Sequence, residues 1–182
     1  KETIDEAFAG DIVGLPDTGN FKIGDTLTSG EELHFKGLPS FSPEMFKYIE
    51  NADPMKQKQL DKGVNQLMDE GVAQLFTNQL TGRKIIGTVG QLQFEVIQYR
   101  LEHEYQAKCR WEPISLYKAC WVAPADDSAE SRAEYEMFKK RKAQYMAFDK
   151  EGRDVFLADS GYVLSMAQQD YQHLRFHFTS EF

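Results

Sequence analysis

The apolar residues of this chain switch between a strand period and a helix period several times, and the same order of switches occurs twice. Phe41 to Glu50 suits a strand. Asp53-Pro54 then places a capping carboxylate before a proline fit for a first helical position. Leu60, Val64, Leu67 and Met68 recur at helical spacing, with Lys56, Lys58, Asp61 and Asp69 elsewhere on the wheel, until Gly71. Val72–Phe76 and Ile85–Val89 read as strands around a turn region at 77–82. A helix from Gln91 to about Tyr105 puts Phe94, Ile97 and Leu101 on one face. Ala107, Cys109 and Trp111 then alternate with Lys108, Arg110 and Glu112, the pattern of a half-buried strand.

The order repeats further on. Leu116–Val122 is strand-like. A helix spans Asp127 to Lys142, with Asp127 and Glu130 spaced as a capping box. Gln144–Phe148 and Val155–Ala158 are strands on either side of Gly152. Ser160 caps a helix carrying Val163, Met166, Ala167 and Tyr171. Leu174, Phe176 and Phe178 alternate with Arg175 and His177 in a last strand. Each series is a βαββαβ, or ferredoxin-like, order. The expectation is an α+β fold of two ferredoxin-like α/β sandwich units packed together, over 37–113 and 114–182.

Residues 1–36 differ. Gly10, Gly14, Pro16, Gly19, Gly24 and Gly30 punctuate short β-type runs, Ala9–Gly14 and Phe21–Leu27, with a turn at Asp17-Thr18-Gly19-Asn20. So few strands make no stable sheet alone. The segment reads as the last strands of a truncated β-barrel plus a connector ending in Gly37-Leu38-Pro39. The chain begins with Lys1, so a longer parent protein is expected.

With 13 Phe, 8 Tyr and 2 Trp among 182 residues, the chain has the material for real cores. The net charge of −8 argues against a basic nucleic-acid-binding domain, and confines any phosphate contact to local basic patches. Two cysteines, Cys109 and Cys120, make no disulfide framework and suit a reducing cytosolic setting. No signal peptide or membrane-spanning stretch is apparent.

Catalytic chemistry is not expected. His34, His103, His173 and His177 lack zinc-motif spacing, and neither GxxxxGK[ST] nor GxGxxG occurs. Gly82-Arg83-Lys84-Ile85-Ile86-Gly87-Thr88-Val89-Gly90 leads into a helix. It reads either as an anion-binding helix start or as a corner where glycine relieves crowding. Lys139-Lys140-Arg141-Lys142 ends the third helix, where cations suit the helix dipole and are also open to phosphate. Lys56, Lys58 and Lys62 on the first helix, with Arg83-Lys84 in a hairpin, complete the candidate phosphate contacts.

Several segments resemble translational GTPases. Ala9–Leu15 followed by Phe21–Leu27 is similar to the end of their second domain. Gly87-Thr88-Val89-Gly90-Gln91-Leu92-Gln93-Phe94-Glu95-Val96 resembles a strand-to-helix corner of elongation factor G, with Gln93 in place of the usual histidine. Asp53-Pro54-Met55-Lys56-Gln57-Lys58-Gln59-Leu60, Glu70–Phe76 and Phe41–Phe46 resemble the bacterial peptide chain release factor 3 family. The likeness extends across essentially the whole chain and is strongest over 9–112.

That resemblance implies the C-terminal part of a ribosome-dependent GTPase that removes class I release factors in translation termination. GTP and magnesium would belong to a first domain upstream, with no cofactor, metal or catalytic residue in this piece. Residues 1–36 would be the barrel tail. The implied partners are rRNA, ribosomal proteins and the chain's own upstream domains, with class I factors indirectly and no membrane, in the cytoplasm. Lys56, Lys58, Lys62, Arg83, Lys84, Lys139, Lys140, Arg141 and Lys142 are the candidate ribosome contacts. The competing expectation, from fold analogy alone, is a small-ligand regulatory module.

Overall fold

A computed structural model of the chain describes residues 3–16, 20–21, 25–31 and 40–180. The turn expected at 17–20 and the connector to Pro39 lie largely outside these residues, as does His34. The elements run β1 (Met45–Asn51), α1 (Gln57–Asp69), β2 (Gln74–Asn78), β3 (Lys84–Thr88), α2 (Gln91–Glu104), β4 (Cys109–Pro113), β5 (Lys118–Pro124), α3 (Ala129–Arg141), β6 (Met146–Phe148), β7 (Asp154–Ala158), α4 (Gly161–Asp170) and β8 (Leu174–His177). The fold is α+β; the described residues form four α-helices and one eight-stranded antiparallel sheet ordered β4-β1-β3-β2-β6-β7-β5-β8. The two halves carry the same strand order, read inward from each edge. They meet through their second strands, where Thr77 pairs with Phe148 and Asn78 with Ala147.

Alternation along the strands sorts the side chains into three cores. On β2, Leu75 faces α1 and α2 while Phe76 faces away; on β3, Ile86 and Ile85 divide likewise. On β5 and β7, Cys120, Val122, Phe156 and Ala158 face α3 and α4, while Ala119, Trp121, Val155 and Leu157 face away. The residues that face away from the helices form one shared cluster: Phe46, Phe76 and Ile85 of the first half join Ala119, Trp121, Ala147, Val155 and Leu157 of the second. Phe76 and Trp121, both fully buried, approach to a ring-centroid distance of 6.3 Å across it. The helices therefore lie outside, and the non-helical faces of the two halves are buried together. A second tie closes the halves. Ser42 N donates to Phe178 O (3.0 Å), Ser180 N donates to Ser40 O (2.9 Å), and Ala119 N donates to Ser42 Oγ (2.9 Å).

Local signals account for most element ends. Asp53 caps a 3-10 turn, Pro54–Lys56, by accepting from Met55 N (3.0 Å), and α1 begins only after it. Gly71 stops the first helical segment with φ +73°. The α3 cap corrects the sequence reading: Ser128, not Asp127, accepts from Ser131 N (3.1 Å). Asp126 reinforces it, its carboxylate accepting from Ser128 N and Ser131 Oγ; the hydroxyls of Ser128 and Ser131, in that order, hold its pKa down at about 2. In α4 the buried residues are Leu164 and Ala167, with Met166 only half-buried.

The strands expected near the N-terminus do not form among the described residues. Phe8 N donates to the Asp11 carboxylate (2.9 Å) in a turn, and the chain beyond is exposed up to Pro16. No described strand lies beside it, and a strand without a ladder partner loses its backbone hydrogen bonds to water.

Gly63 sets the approach of α1 to α2. A Cβ there would lie 2.6 Å from a Leu101 methyl and 2.9 Å from the Tyr105 ring. Gly63→Val is expected to destabilise the fold by about 1–3 kcal/mol through overpacking, read as a lower denaturant midpoint.

Candidate functional site

The nine candidate cations divide by whether the fold has already paired them. Arg83, at the end of the β2–β3 hairpin, donates to Glu50 (2.7 Å) and Glu112, and its guanidinium lies 3.6 Å from the Tyr48 ring centroid. The Glu112 hydrogen bond is the chief cause of its raised pKa. Lys84 reaches Asp61 on α1 at 2.7 Å. Lys139 pairs with Glu136 (2.9 Å) and lies 4.4 Å from the Tyr135 ring centroid. These three brace the fold. Lys56, Lys58, Lys62, Lys140, Arg141 and Lys142 make no ion pair with a described residue.

Four of the six lie on two helices, and Lys56 and Lys142 flank them. Lys58 and Lys62 are one turn apart on α1, opposite Leu60, Val64 and Leu67, and both are exposed. Lys140 and Arg141 end α3 in solvent, with Lys142 at its C-cap. The two helices cover opposite halves of the sheet. The sequence reading therefore names one set of residues where the fold makes two clusters and a separate group of structural ion pairs.

The joint between the halves uses polar groups that the sequence reading missed. Gln79, just past β2, donates to Asp154 of β7 (2.8 Å) and to Ala147 O (3.0 Å). Asp154 also accepts from Tyr135 Oη on α3, and desolvation with that bond raises the tyrosine's pKa. Lys150 of the β6–β7 hairpin reaches across to Asp69 on α1. Beneath the hairpin, Asp149 accepts from Trp121 Nε1 (3.0 Å) and Arg153 Nε (2.6 Å). A signal for this corner is present in the sequence. Asn78…Gly82 and Asp149…Gly152 are parallel Asx-started hairpins, each side chain accepting two backbone N–H groups and each ending near a glycine with positive φ.

No catalytic arrangement emerges among the described residues. Cys109 and Cys120 are buried, free and in different cores, and burial is the first cause pushing their thiols up to about 11 and about 12. Among the described residues no group of three or more His, Cys, Asp or Glu side chains could hold a metal ion. No helix among the described residues is long and apolar enough to cross a membrane. A cleft of about 270 Å³ between α1 and the β2–β3 hairpin is walled by Glu50, Asp61, Arg83 and Lys84, which pair among themselves. The Gly82–Gly90 run resolves as a corner. Gly90 N donates to Gln93 Oε1 (2.7 Å), so Gln93 caps its own helix, and a Cβ on Gly87 would strike Pro43 at 2.5 Å.

Residues 35–168 match the family described as class II release factor RF3, C-terminal domain. The chain belongs to this family. The match runs through both halves of the sheet and both basic clusters, and stops inside α4. A release factor 3-like role in translation termination is therefore the setting in which the two clusters are to be understood.

Two outcomes check the site's architecture. Asp149→Ala leaves the Trp121 indole N–H buried without its acceptor and is expected to cost roughly 1–3 kcal/mol in chemical denaturation. Both thiols should resist a thiol-specific chromogenic reagent in the native chain at neutral pH and react on unfolding. Rapid native reaction at either would contradict their protonated, buried state.

Proposed function

We propose that this chain is the ribosome-binding C-terminal part of a release factor 3-like GTPase that recycles class I release factors. The observation that carries the reading is the family match over 35–168. On this reading the two halves are ferredoxin-like units, 37–113 and 114–182, acting as one body because they share a sheet and a core. Residues 1–36 are the tail of a barrel domain. They link this body to upstream domains that hold GTP and magnesium, in the cytoplasm.

The chemistry of the contact follows from charge. An acidic chain approaches RNA only where cations stand free of intramolecular partners. Among the described residues, Lys58 and Lys62 on α1 and Lys140, Arg141 and Lys142 at the end of α3 meet that condition, with Lys56 half-buried beside the first cluster. Arg83, Lys84 and Lys139 are committed within the fold and contribute little. A change of nucleotide state upstream would act by moving this body between positions with different ribosome contacts.

Co-sedimentation with 70S ribosomes at two salt concentrations tests the proposal. Binding should weaken with salt, and each lost phosphate contact should lower the logarithmic salt slope by about 1. Lys58→Glu with Lys62→Glu, and Lys140→Glu with Arg141→Glu, should each reduce binding and slope while leaving the thermal melt unchanged. Wild-type affinity in both double variants would sink the proposal.

A further inference from the structure

Helix α2 is apolar on two sides, although it packs on only one. Phe94, Ile97 and Leu101 enter the core. Leu92, Val96 and Tyr99 form a second stripe one turn apart, 68%, 39% and 62% exposed. His103 extends it, its ring stacked on Tyr99 at a centroid distance of 3.9 Å. Nothing in core packing calls for this second stripe, and a contiguous exposed apolar patch is characteristic of a contact surface.

The charges beside the stripe define what fits it. Glu95 and Glu102 lie along one flank. On the other flank Arg100 is held between Glu70 and Glu104, and those hydrogen bonds keep its pKa raised. Four carboxylates thus face one guanidinium that is already committed; the helix carries no lysine, and Lys47 of β1, which reaches it, is engaged by Gln91 Oε1 (3.1 Å) and the Phe94 ring. A nucleic-acid backbone would be repelled here. A second copy of the chain, docked stripe to stripe, would bring the same carboxylates together.

We propose that the outer face of α2 docks a basic protein segment that carries apolar side chains. Its aliphatic or aromatic groups would cover Leu92, Val96 and Tyr99, and its lysines or arginines would meet Glu95 and Glu102. Tyr99 is the natural anchor, being a rigid aromatic already stacked on one side. The surface is separate from the lysines of α1 and chemically opposite to them. α1 and α2 are adjacent in one helical layer, so a partner made of RNA and basic protein could engage both. Only the identity of the natural partner rests on the ribosome reading; the docking chemistry stands without it.

The probe is a fluorescently labelled amphipathic helical peptide of leucine and lysine, compared with its leucine–glutamate counterpart by anisotropy against the 182-residue chain. The lysine peptide should bind and the glutamate peptide should not. Leu92→Ser with Tyr99→Ser, and separately Glu95→Lys with Glu102→Lys, should each weaken binding by about tenfold. Leu92, Glu95 and Tyr99 are exposed and Glu102 is half-buried, so the Leu92/Tyr99 variant should melt like the parent and the Glu95/Glu102 variant close to it. No binding, equal binding of both peptides, or affinity that survives both sets of substitutions would overturn the proposal. No ribosome is present, so failure here leaves the co-sedimentation result standing, and failure there leaves this one standing.

Discussion

Strands β5 and β7 have water on neither face. Cys120, Val122, Phe156 and Ala158 are buried under α3 and α4, while Ala119, Trp121, Val155 and Leu157 are buried on the opposite side. Two helices cannot cover both faces of a half-sheet. The uncovered face needs another apolar surface, and the first half supplies it through Phe46, Phe76 and Ile85. The edge pairing of β2 with β6, the tether of 40–42 to 178–180 and the Asp149 corner all depend on this shared core. Each large apolar side chain buried there contributes about 1.5–3 kcal/mol, more than the exposed ion pairs around it.

With the sheet faces consumed by the core, the helices carry the outward chemistry, and they do so unequally. α1 and α3 present unpaired cations. α2 presents an apolar stripe between carboxylates. The surface charges are thus segregated into patches that the net charge conceals. The ion pairs of Arg83, Lys84 and Lys139 hold hairpins and helix ends in place, which keeps those surfaces in fixed relation.

Much of the fold is legible in the residues. The helix spacing of Leu60, Val64 and Leu67, the Asp53-Pro54 start and the Gly71 stop are local signals, and local geometry answers them. Other readings failed for nonlocal or competing reasons. Asp127 has cap chemistry, but Ser128 has the backbone geometry, and Asp126 supports it from the other side. Ala9–Gly14 has strand composition, but no described strand lies beside it to complete a ladder. The ion pairs of Arg83 are a different case: they are invisible in the sequence because Glu50 and Glu112 belong to strands 33 and 29 residues away.

What the amino-acid order determined by itself was, from residue 41 onward, the type and sequence of the elements and the two faces of each strand. It also determined the family likeness, because periodicity, caps and motifs are properties of neighbouring residues. What only the tertiary structure decided was the pairing of those faces: two half-sheets joined at β2 and β6, a third core between them, and the partition of cations into braces and free groups. Alternation states that a residue faces one way or the other, while what it meets there depends on chain segments far away. For the same reason spacing places Phe94, Ile97 and Leu101 on one face of α2, while only the fold leaves Leu92, Val96 and Tyr99 exposed on the other.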